Sequence, residues 1–402
     1  MPDTFKPDTP EQVRDAVAWA ISEETPLEIV SRATKRTVGR PMQTANTLDL
    51  SGLSGIGLYE AEELICQAGP GTPLAEIEAA LRAENQRLAF EPMDLGVLLG
   101  GGEGRQSIAG VFACNLAGPR RIKDGAARDH LLGFTAVTGR GEIVQSGGRV
   151  VKNVTGYDLS KLVCGSWGTL AALTDLTFKV LPAPETETTV LLHGLDEAAA
   201  VKAMSAAMGS AHDVSSAAHL PAGIVADGVS GVATALRVEG FAPSVVARVD
   251  ALKGELAGFG AEIATIDCDA SRTLWRDLRD ARPLAEPRDR AVWKISVAPT
   301  AGPEVVTAVR GAVPEATCFY DWAGGLVWLA VPPGRDARAD VVRGAVDRVG
   351  GHATLIRAAP EVRASLDSFH PQPRPVAALA KRVKESFDPK AVLNPGRMTA
   401  GV

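Results

Sequence analysis

The sequence is poor in the residues that metal clusters and disulfide frameworks require. Five cysteines occur among 402 residues, at positions 66, 114, 164, 268 and 318, and no CxxC pair is present. Iron–sulfur clusters and structural zinc sites draw on closely spaced cysteines, and an odd count favours free, mostly buried thiols. We therefore expect no metal site, and we interpret Cys66, Cys114 and Cys164 as packing residues.

Long apolar runs and an excess of positive charge are also missing. No run of about 18 apolar residues is present to span a bilayer. The first residues lack the basic start and apolar core of a secretory signal. The formal net charge is −6, which gives no general attraction to nucleic acid or to anionic membranes. The sequence predicts a cytoplasmic protein that binds no nucleic acid and does not insert directly into a membrane.

The common nucleotide motifs are absent too. There is no Walker A sequence, and no GxGxxG stands between a strand and a helix with an acidic residue about 20 positions later, which excludes a Rossmann NAD site. We interpret the glycine-dense stretch 100–104 as a flexible loop. The six histidines are scattered along the chain, and His352 is interpreted as structural.

The length predicts two domains, and the best boundary is Pro182-Ala183-Pro184, because prolines cannot continue a central strand. Before it, Thr9-Pro10 predicts a helix start, and residues 134–145 predict a hairpin. Residues 185–358 predict an antiparallel sheet covered by helices, as two β-α-β-β-α-β units or as one with extra elements. Residues 376–387 predict a basic amphipathic helix.

Residues 147–182 are the most informative segment. KNVTGYDL at 152–159 and GSWGTL at 165–170 flank a short predicted helix at 160–163, and glycine turns let the backbone approach a ligand closely. In this segment the chain resembles the vanillyl-alcohol oxidase, or PCMH-type, FAD-binding family, and within it the FAD-binding subunits of glycolate oxidases. The resemblance covers residues 10–182 strongly and 345–400 as the family's ending.

The resemblance implies an α+β fold with three parts. A two-subdomain PCMH-type FAD-binding domain is expected at 1–182. An antiparallel-sheet cap domain with covering helices is expected at 183–358. A C-terminal helix and tail that returns to the FAD-binding domain and packs on it is expected at 359–402.

The cofactor implied is FAD, held without a covalent bond because no histidine stands where some relatives attach the flavin. Residues 106–121 match the family's phosphate segment. The expected cofactor-binding residues are Thr34, Lys35, Gly71, Ser107, Ile108, Ala109, Gly110, Asn115, Gly118, Thr155, Gly156, Tyr157, Gly165, Gly168, Thr169, Leu170, Asn394 and Arg397. Tyr157 and Arg397 would lie nearest the isoalloxazine and are the catalytic candidates, since an arginine can stabilise negative charge on reduced flavin.

One segment departs from the family. Its first phosphate loop usually reads Ile-Arg-Gly-Gly-Gly-Thr-Lys, whereas this chain has Ile-Val-Ser-Arg-Ala-Thr-Lys at 29–35. Side chains at these three positions would be strained at positive φ or would crowd the pyrophosphate. The charge of Arg32 can offset lost N–H contacts.

The resemblance implies an FAD-binding subunit of a glycolate oxidase complex. A second FAD-binding subunit would handle the substrate, and an iron–sulfur subunit would take the electrons. Through the complex, the chain would be associated peripherally with the inner membrane. The Gly-His-x-Gly-Asp-Gly-Asn motif of related 2-hydroxyacid dehydrogenases is missing here. Two alternatives stay open: a stand-alone FAD-dependent 2-hydroxyacid dehydrogenase acting on glycolate or D-lactate, and a cofactor-free structural subunit that kept the fold.

Overall fold

The computed structural model describes residues 3–148 and 157–400. The amino-terminal strands are β1 Thr4–Phe5, β2 Leu27–Val30, β3 Asn46–Asp49, β4 Ile56–Glu60, β5 Ile65–Ala68, β6 Gln86–Arg87, β7 Leu131–Thr138, β8 Ile143–Gly147, β9 Ala171–Lys179 and β10 Leu181–Pro182. The helices among them are α1 Pro10–Ser22, α2 Leu74–Ala83, α3 Gly96–Leu99, α4 Ile108–Cys114, α5 Arg121–Asp124, α6 Ala127–His130 and α7 Leu159–Val163.

These strands form two main sheets. The first is parallel in the order β1-β3-β2, and the second is antiparallel in the order β4-β5-β9-β7-β8. Strands β7 and β8 are the hairpin that the sequence predicted. A short antiparallel ladder pairs β10 with β6.

Helix α1 begins where the sequence predicted. The Thr9 hydroxyl accepts a hydrogen bond from the Gln12 N–H at 3.3 Å, and Pro10 takes the first helical position, where its missing N–H costs nothing. The Gln12 side chain accepts from the N–H of Asp8, one residue earlier than a capping box requires. The buried face of α1 packs on Leu27 and Leu48 of the first sheet.

The middle of the chain forms one eight-stranded antiparallel sheet, the cap sheet. Its elements are β11 Thr186–His193, α8 Glu197–Gly209, β12 Val214–Leu220, β13 Ala233–Gly240, α9 Ala242–Leu256, β14 Glu262–Ile266, α10 Cys268–Arg279, β15 Ala291–Val297, α11 Gly302–Ala312, β16 Thr317–Asp321, β17 Leu326–Val331, α12 Ala339–Val349 and β18 Gly351–Arg357. The order β14-β11-β13-β12-β16-β17-β15-β18 repeats itself in mirror sense about the β12–β16 seam. The sheet therefore contains two complete β-α-β-β-α-β units.

The two faces of the cap sheet have different neighbours. Helices α8 and α9 cover one unit, and α11 and α12 cover the other, each with its own apolar core. The opposite face packs directly on the amino-terminal part, because Phe319 and Trp328 share one continuous apolar cluster with Phe90 and Phe112.

The end of the chain returns to the first sheet through α13 Pro360–Ser365 and α14 Arg374–Phe387. The N–H of Leu27 donates to the Val392 carbonyl at 2.8 Å, and the Asn394 N–H donates to the Leu27 carbonyl at 3.1 Å. Residues 392–394 thus lie beside β2. The expected fold class, including the returning tail, is confirmed, while the bounds of the three parts stay a prediction. Across the ranges 3–148 and 157–400, we find no helix both long and apolar enough to cross a membrane.

Candidate functional site

A small cavity of about 100 Å³ lies where β2, α4, the 167–173 segment and the tail meet. The cavity brings together five residues that the sequence predicted for the cofactor, from three distant segments: Ala109, Gly110, Gly168, Asn394 and Arg397. We call it the flavin-side cavity. The return of the tail to β2 is what places Asn394 and Arg397 at this cavity.

The altered phosphate loop, residues 31–35, closes one side of this cavity. The Ser31 hydroxyl donates to the Pro70 carbonyl at 2.9 Å, and the Arg32 Nε donates to the Gly71 carbonyl at 3.0 Å. Ala33 adopts a φ of 54°, a left-handed conformation that favours glycine. The side chains that replace the family's glycines thus tie the loop to residues 70–71.

Two buried cations stand beside the cavity without counter-ions. Lys35 and Arg397 are each 7 % exposed. Lys35 Nζ donates to the Gln106 side chain at 3.1 Å, and Arg397 Nη2 donates to the Lys35 carbonyl at 2.6 Å. Within residues 3–148 and 157–400, neither cation has a carboxylate within ion-pair distance. Burial lowers the pKa of both groups, so an anion placed here would be strongly favoured.

Helix α4 supplies the wall that carries Ala109 and Gly110. The Ser107 hydroxyl caps it by accepting from the Gly110 N–H at 3.3 Å, while Ile108 is buried in the core. A Cβ on Gly110 would lie 3.5 Å from Lys35 Nζ. Asn115 ends the helix at a φ of 51°. The lysine therefore covers the backbone that was expected to lie against the cofactor.

The turn at residues 165–170 forms the next wall. Gly165 and Gly168 have φ values of 93° and 72°, and a Cβ on Gly168 would lie 2.7 Å from the Asn394 amide nitrogen. That amide donates to the Trp167 carbonyl at 2.9 Å and accepts from the Ile29 N–H at 2.8 Å. Asn394 thus fastens the turn to β2.

Two further predicted residues in this turn have structural contacts. The Thr169 hydroxyl donates to the Ser166 carbonyl at 2.7 Å, and Leu170 is buried. Both help to hold the shape of the wall.

Other predicted residues lie elsewhere. Tyr157 is 90 % exposed, so its side chain does not lie in the cavity with Arg397. Gly118 faces α10, since a Cβ there would lie 2.8 Å from the Arg279 side chain. Gly71 lies against Ser51, and the Thr34 hydroxyl accepts a hydrogen bond from the Lys35 amine at 3.4 Å. Thr155 and Gly156, with the rest of 149–156, lie outside the described residues.

Sequence reasoning missed two residues at the site. Gln106 holds the Lys35 amine, and its place at the start of the matched phosphate segment was a usable signal. Cys114 lines the flavin-side cavity, and burial raises the pKa of its thiol to about 11 even though Lys35 and Arg397 lower it. The thiol therefore stays protonated at neutral pH. No group of three or more metal-binding side chains occurs among the residues that the structure describes.

A family model described as an FAD binding domain matches residues 4–147. The glycolate oxidase subunit GlcE of Escherichia coli is 33 % identical over 386 residues, which cover 96 % of each chain. The chain belongs to the GlcE family. This family lies among the FAD-dependent oxidoreductases of the glycolate oxidase and lactate dehydrogenase type, with FAD as cofactor.

More distant relatives match the GlcE-family chain only in part. Glycolate oxidase subunit GlcD of Bacillus subtilis is 31 % identical over 33 % of this chain and 26 % of its own. A D-lactate dehydrogenase of Anaerostipes hadrus is 34 % identical over 36 % of this chain and 29 % of its own. The structure of p-cresol methylhydroxylase superposes with a TM-score of 0.73 at 14 % identity, over 99 % of this chain and 88 % of its own. That likeness confirms the fold.

The described residues fit FAD in charge and in residue type. Lys35 and Arg397 offer two positive charges to a pyrophosphate, and Ala109, Gly110 and Gly168 are small enough for a close ligand. The volume of the cavity, about 100 Å³, is smaller than the roughly 300–1,000 Å³ of ligand sites. The cavity as described is therefore smaller than FAD requires, and Ser31 of the altered loop is among the residues that line it.

Proposed function

We propose that this chain is the FAD-binding subunit of a glycolate oxidase complex. In this proposal it takes part in the oxidation of glycolate or D-lactate, and the electrons pass to an iron–sulfur subunit. The observation that carries the proposal is the pair of buried cations, Lys35 and Arg397, which have no counter-ion among the described residues and lie beside a wall of small residues. Such a site favours a bound dianion.

Five residues in or beside the flavin-side cavity have a role in this proposal. FAD, when bound here, would supply two-electron redox chemistry, while the partner subunit that handles the substrate would oxidise the α-carbon of the 2-hydroxy acid. Lys35 and Arg397 would neutralise the pyrophosphate and the flavin edge. Asn394 would keep the 165–170 turn fixed to β2, and Ala109 and Gly110 would leave room for the cofactor.

The proposed partners are a second FAD-binding subunit that handles the substrate and an iron–sulfur subunit. Full-length similarity to a protein named as an oxidase subunit supports this division, as does the missing Gly-His-x-Gly-Asp-Gly-Asn motif. Through such a complex the chain would be cytoplasmic, with a peripheral place at the inner membrane.

The first experiment is a visible absorption spectrum of the purified chain, before and after acid precipitation. We expect flavin bands that acid releases into the supernatant, as non-covalent binding requires. The Lys35→Met variant should bind added FAD at least tenfold more weakly, because one of two buried charges is lost. Lys390→Met is the control, since Lys390 is exposed and pairs with Glu24.

The second candidate is a cofactor-free subunit that kept the fold. The hydrogen bonds that tie Ser31 and Arg32 to residues 70–71 favour it, because they close the phosphate loop. It predicts a colourless chain that gains no flavin colour with excess FAD yet still assembles with its partners. That result would overturn FAD binding while leaving the complex intact.

Activity separates the complex from a stand-alone enzyme. We expect the isolated chain to reduce no dye with glycolate or D-lactate, and the co-expressed three-subunit complex to do so. Dye reduction by the chain alone would replace the subunit assignment with a stand-alone dehydrogenase.

A further inference from the structure

A second, larger cavity of about 610 Å³ lies between the amino-terminal part and the cap sheet. We call it the arginine cleft: its walls are residues 78–82 of α2 and 272–279 of α10, and its floor is Arg87, Arg120 and Arg237. Its volume falls in the range of roughly 300–1,000 Å³ typical of small-molecule sites.

The floor of the cleft is a buried network of ion pairs. Both Arg237 and Arg120 bind the Glu91 carboxylate, with nitrogen–oxygen distances of 2.7 and 2.6 Å. Arg120 and Arg87 bind Glu239, each at 2.8 Å. Burial raises the pKa of Glu91, but the Arg120 and Arg237 guanidiniums outweigh it and lower that pKa to about 2. Glu187 lies 3.6 Å from Arg120 and Asp124 lies 3.7 Å from Arg87, so the three guanidiniums of the floor face four carboxyl groups.

The floor still holds unused donors. Arg237 is 1 % exposed, yet its Nε has no hydrogen-bond partner within the described part of the chain. The Nε and Nη1 of Arg87 are buried and unpartnered in the same way. Buried guanidinium N–H groups that lack an acceptor are costly. An acceptor from outside the chain would therefore be favoured here.

The mouth of the cleft is positively charged. Arg272, Arg276 and Arg279 follow one another on one face of α10. Arg279 pairs with Asp280 at 2.7 Å, whereas exposed Arg272 and Arg276, and Arg82 on α2, have no ion pair in residues 3–148 and 157–400. Burial raises the pKa of Glu78, the carboxyl group on this wall. The mouth thus presents three guanidiniums that have no ion pair among the described residues, next to the carboxyl group of Glu78.

The remaining lining is apolar and aromatic. Trp275 contributes its ring to the cleft beneath the Arg237 guanidinium, 4.7 Å from the ring centroid, and Leu81, Leu88 and Pro184 complete the surface. Arginine binds phosphate and carboxylate groups with paired N–H donors, and the apolar lining suits a carbon skeleton. We propose that the arginine cleft binds a small organic anion with at least two acidic groups, either a phosphate ester or a polycarboxylate.

Calorimetric titration of the full chain with pyrophosphate and, separately, with citrate tests this proposal. Excess FAD is present, so that the cations of the flavin-side cavity do not compete, and ionic strength is matched with sodium chloride. We expect saturable binding of at least one probe. Preference for pyrophosphate would assign the phosphate class, and preference for citrate the carboxylate class.

The decisive variant is Arg272→Ala/Arg276→Ala, which removes two exposed side chains and leaves the buried floor intact. We expect at least tenfold weaker binding. The control Arg335→Ala/Arg348→Ala removes the same charge from exposed positions outside the cleft and should change binding less than twofold. No saturable binding of either probe, or equal losses in both double variants, would overturn the proposal.

Discussion

The flavin-side cavity and the floor of the arginine cleft are both buried and both rich in positive charge, but the two places differ in whether carboxylates neutralise that charge. Beside the cavity, Lys35 and Arg397 have no carboxylate partner among the described residues. In the floor, three guanidiniums face four carboxyl groups at distances down to 2.6 Å. The charges of the floor are paired within the chain although some of its N–H donors are unused, whereas the two cations beside the cavity have no ion pair among the described residues.

This difference separates charges that stabilise the fold from charges that are available to bind a ligand. A buried charge with its partner in place is costly to break, because the group left behind is desolvated and alone. A buried charge without a partner is already desolvated and alone in the folded chain. Removing one member of a pair should therefore destabilise the fold, and removing an unpaired charge should not.

The largest effect is expected at the isolated buried pair Lys384–Asp388. Lys384 Nζ donates to Asp388 at 2.6 Å and to the carbonyls of Thr169 and Leu393 at 2.7 and 2.8 Å. Lys384→Met should lower the free energy of unfolding by about 3–5 kcal/mol, measured by urea denaturation. Exposed Lys381 on the same helix is the control, and Lys381→Met should cost under about 0.5 kcal/mol. Equal losses in both variants would contradict the role of burial.

The paired floor is tested next at Glu91. Glu91→Gln should destabilise the chain by about 3 kcal/mol at pH 7. The folded pKa of Glu91, about 2, lies below its ordinary value of 4.5. Its stabilisation is therefore fully present above pH 4.5 and is lost as the pH falls toward 2. The difference in the free energy of unfolding between the native chain and Glu91→Gln should become smaller as the pH falls from 4.5 toward 2. A difference that stays constant would show that Glu91 acts through packing alone.

Asp321 sharpens the comparison, because it is a buried carboxyl group with few partners. It is 1 % exposed and accepts from the Trp322 N–H at 2.7 Å, and burial raises its pKa from 3.8 to about 7. Stability from the protonated form is present below pH 3.8 and lost as the pH rises through 7. Asp321→Asn should be more stable than the native chain at pH 8, by about 1–2 kcal/mol, and equal to it near pH 4. Asp289→Asn, an exposed substitution, should show no such trend.

The smallest effect on stability is expected at Lys35. Without added FAD, Lys35→Met should leave the free energy of unfolding unchanged or raise it by about 1 kcal/mol, because burial of an unpaired charge is relieved. Loss of the bond to Gln106 limits the gain. A loss above about 1 kcal/mol in denaturant titrations would place Lys35 with the structural charges and break the comparison.

Local features were predictable from the sequence because their causes are local. The Thr9-Pro10 helix start and the 131–147 hairpin depend on residues within a few positions of one another. Strand β12 was missed because VSSAAHL is small, mixed and buried on both faces, so neither alternation nor branched side chains mark it. Strand β14 was missed as well, and without these two strands the first β-α-β-β-α-β unit looked incomplete.

The site was predictable only in part. The resemblance brought Gly110, Gly168, Asn394 and Arg397 into one prediction, although they are separated by up to 287 positions. It could not show that Gly118 faces α10 instead, because that depends on how the cap sheet packs. The floor of the arginine cleft could not be predicted either, since Glu91 and Arg237 lie 146 positions apart and no pattern links them.

The pairing of the tail with β2 has a consequence for biosynthesis. Val392 and Leu393 belong to the same apolar cluster as Val13, Leu27 and Leu48, so the first sheet lacks part of its core when residue 182 has been made. About 210 more residues must follow, which takes about 10–40 s at the roughly 5–20 residues per second of translation. During that interval the apolar side chains of this cluster lack the partners that the tail supplies, so the amino-terminal part completes its core only near the end of synthesis.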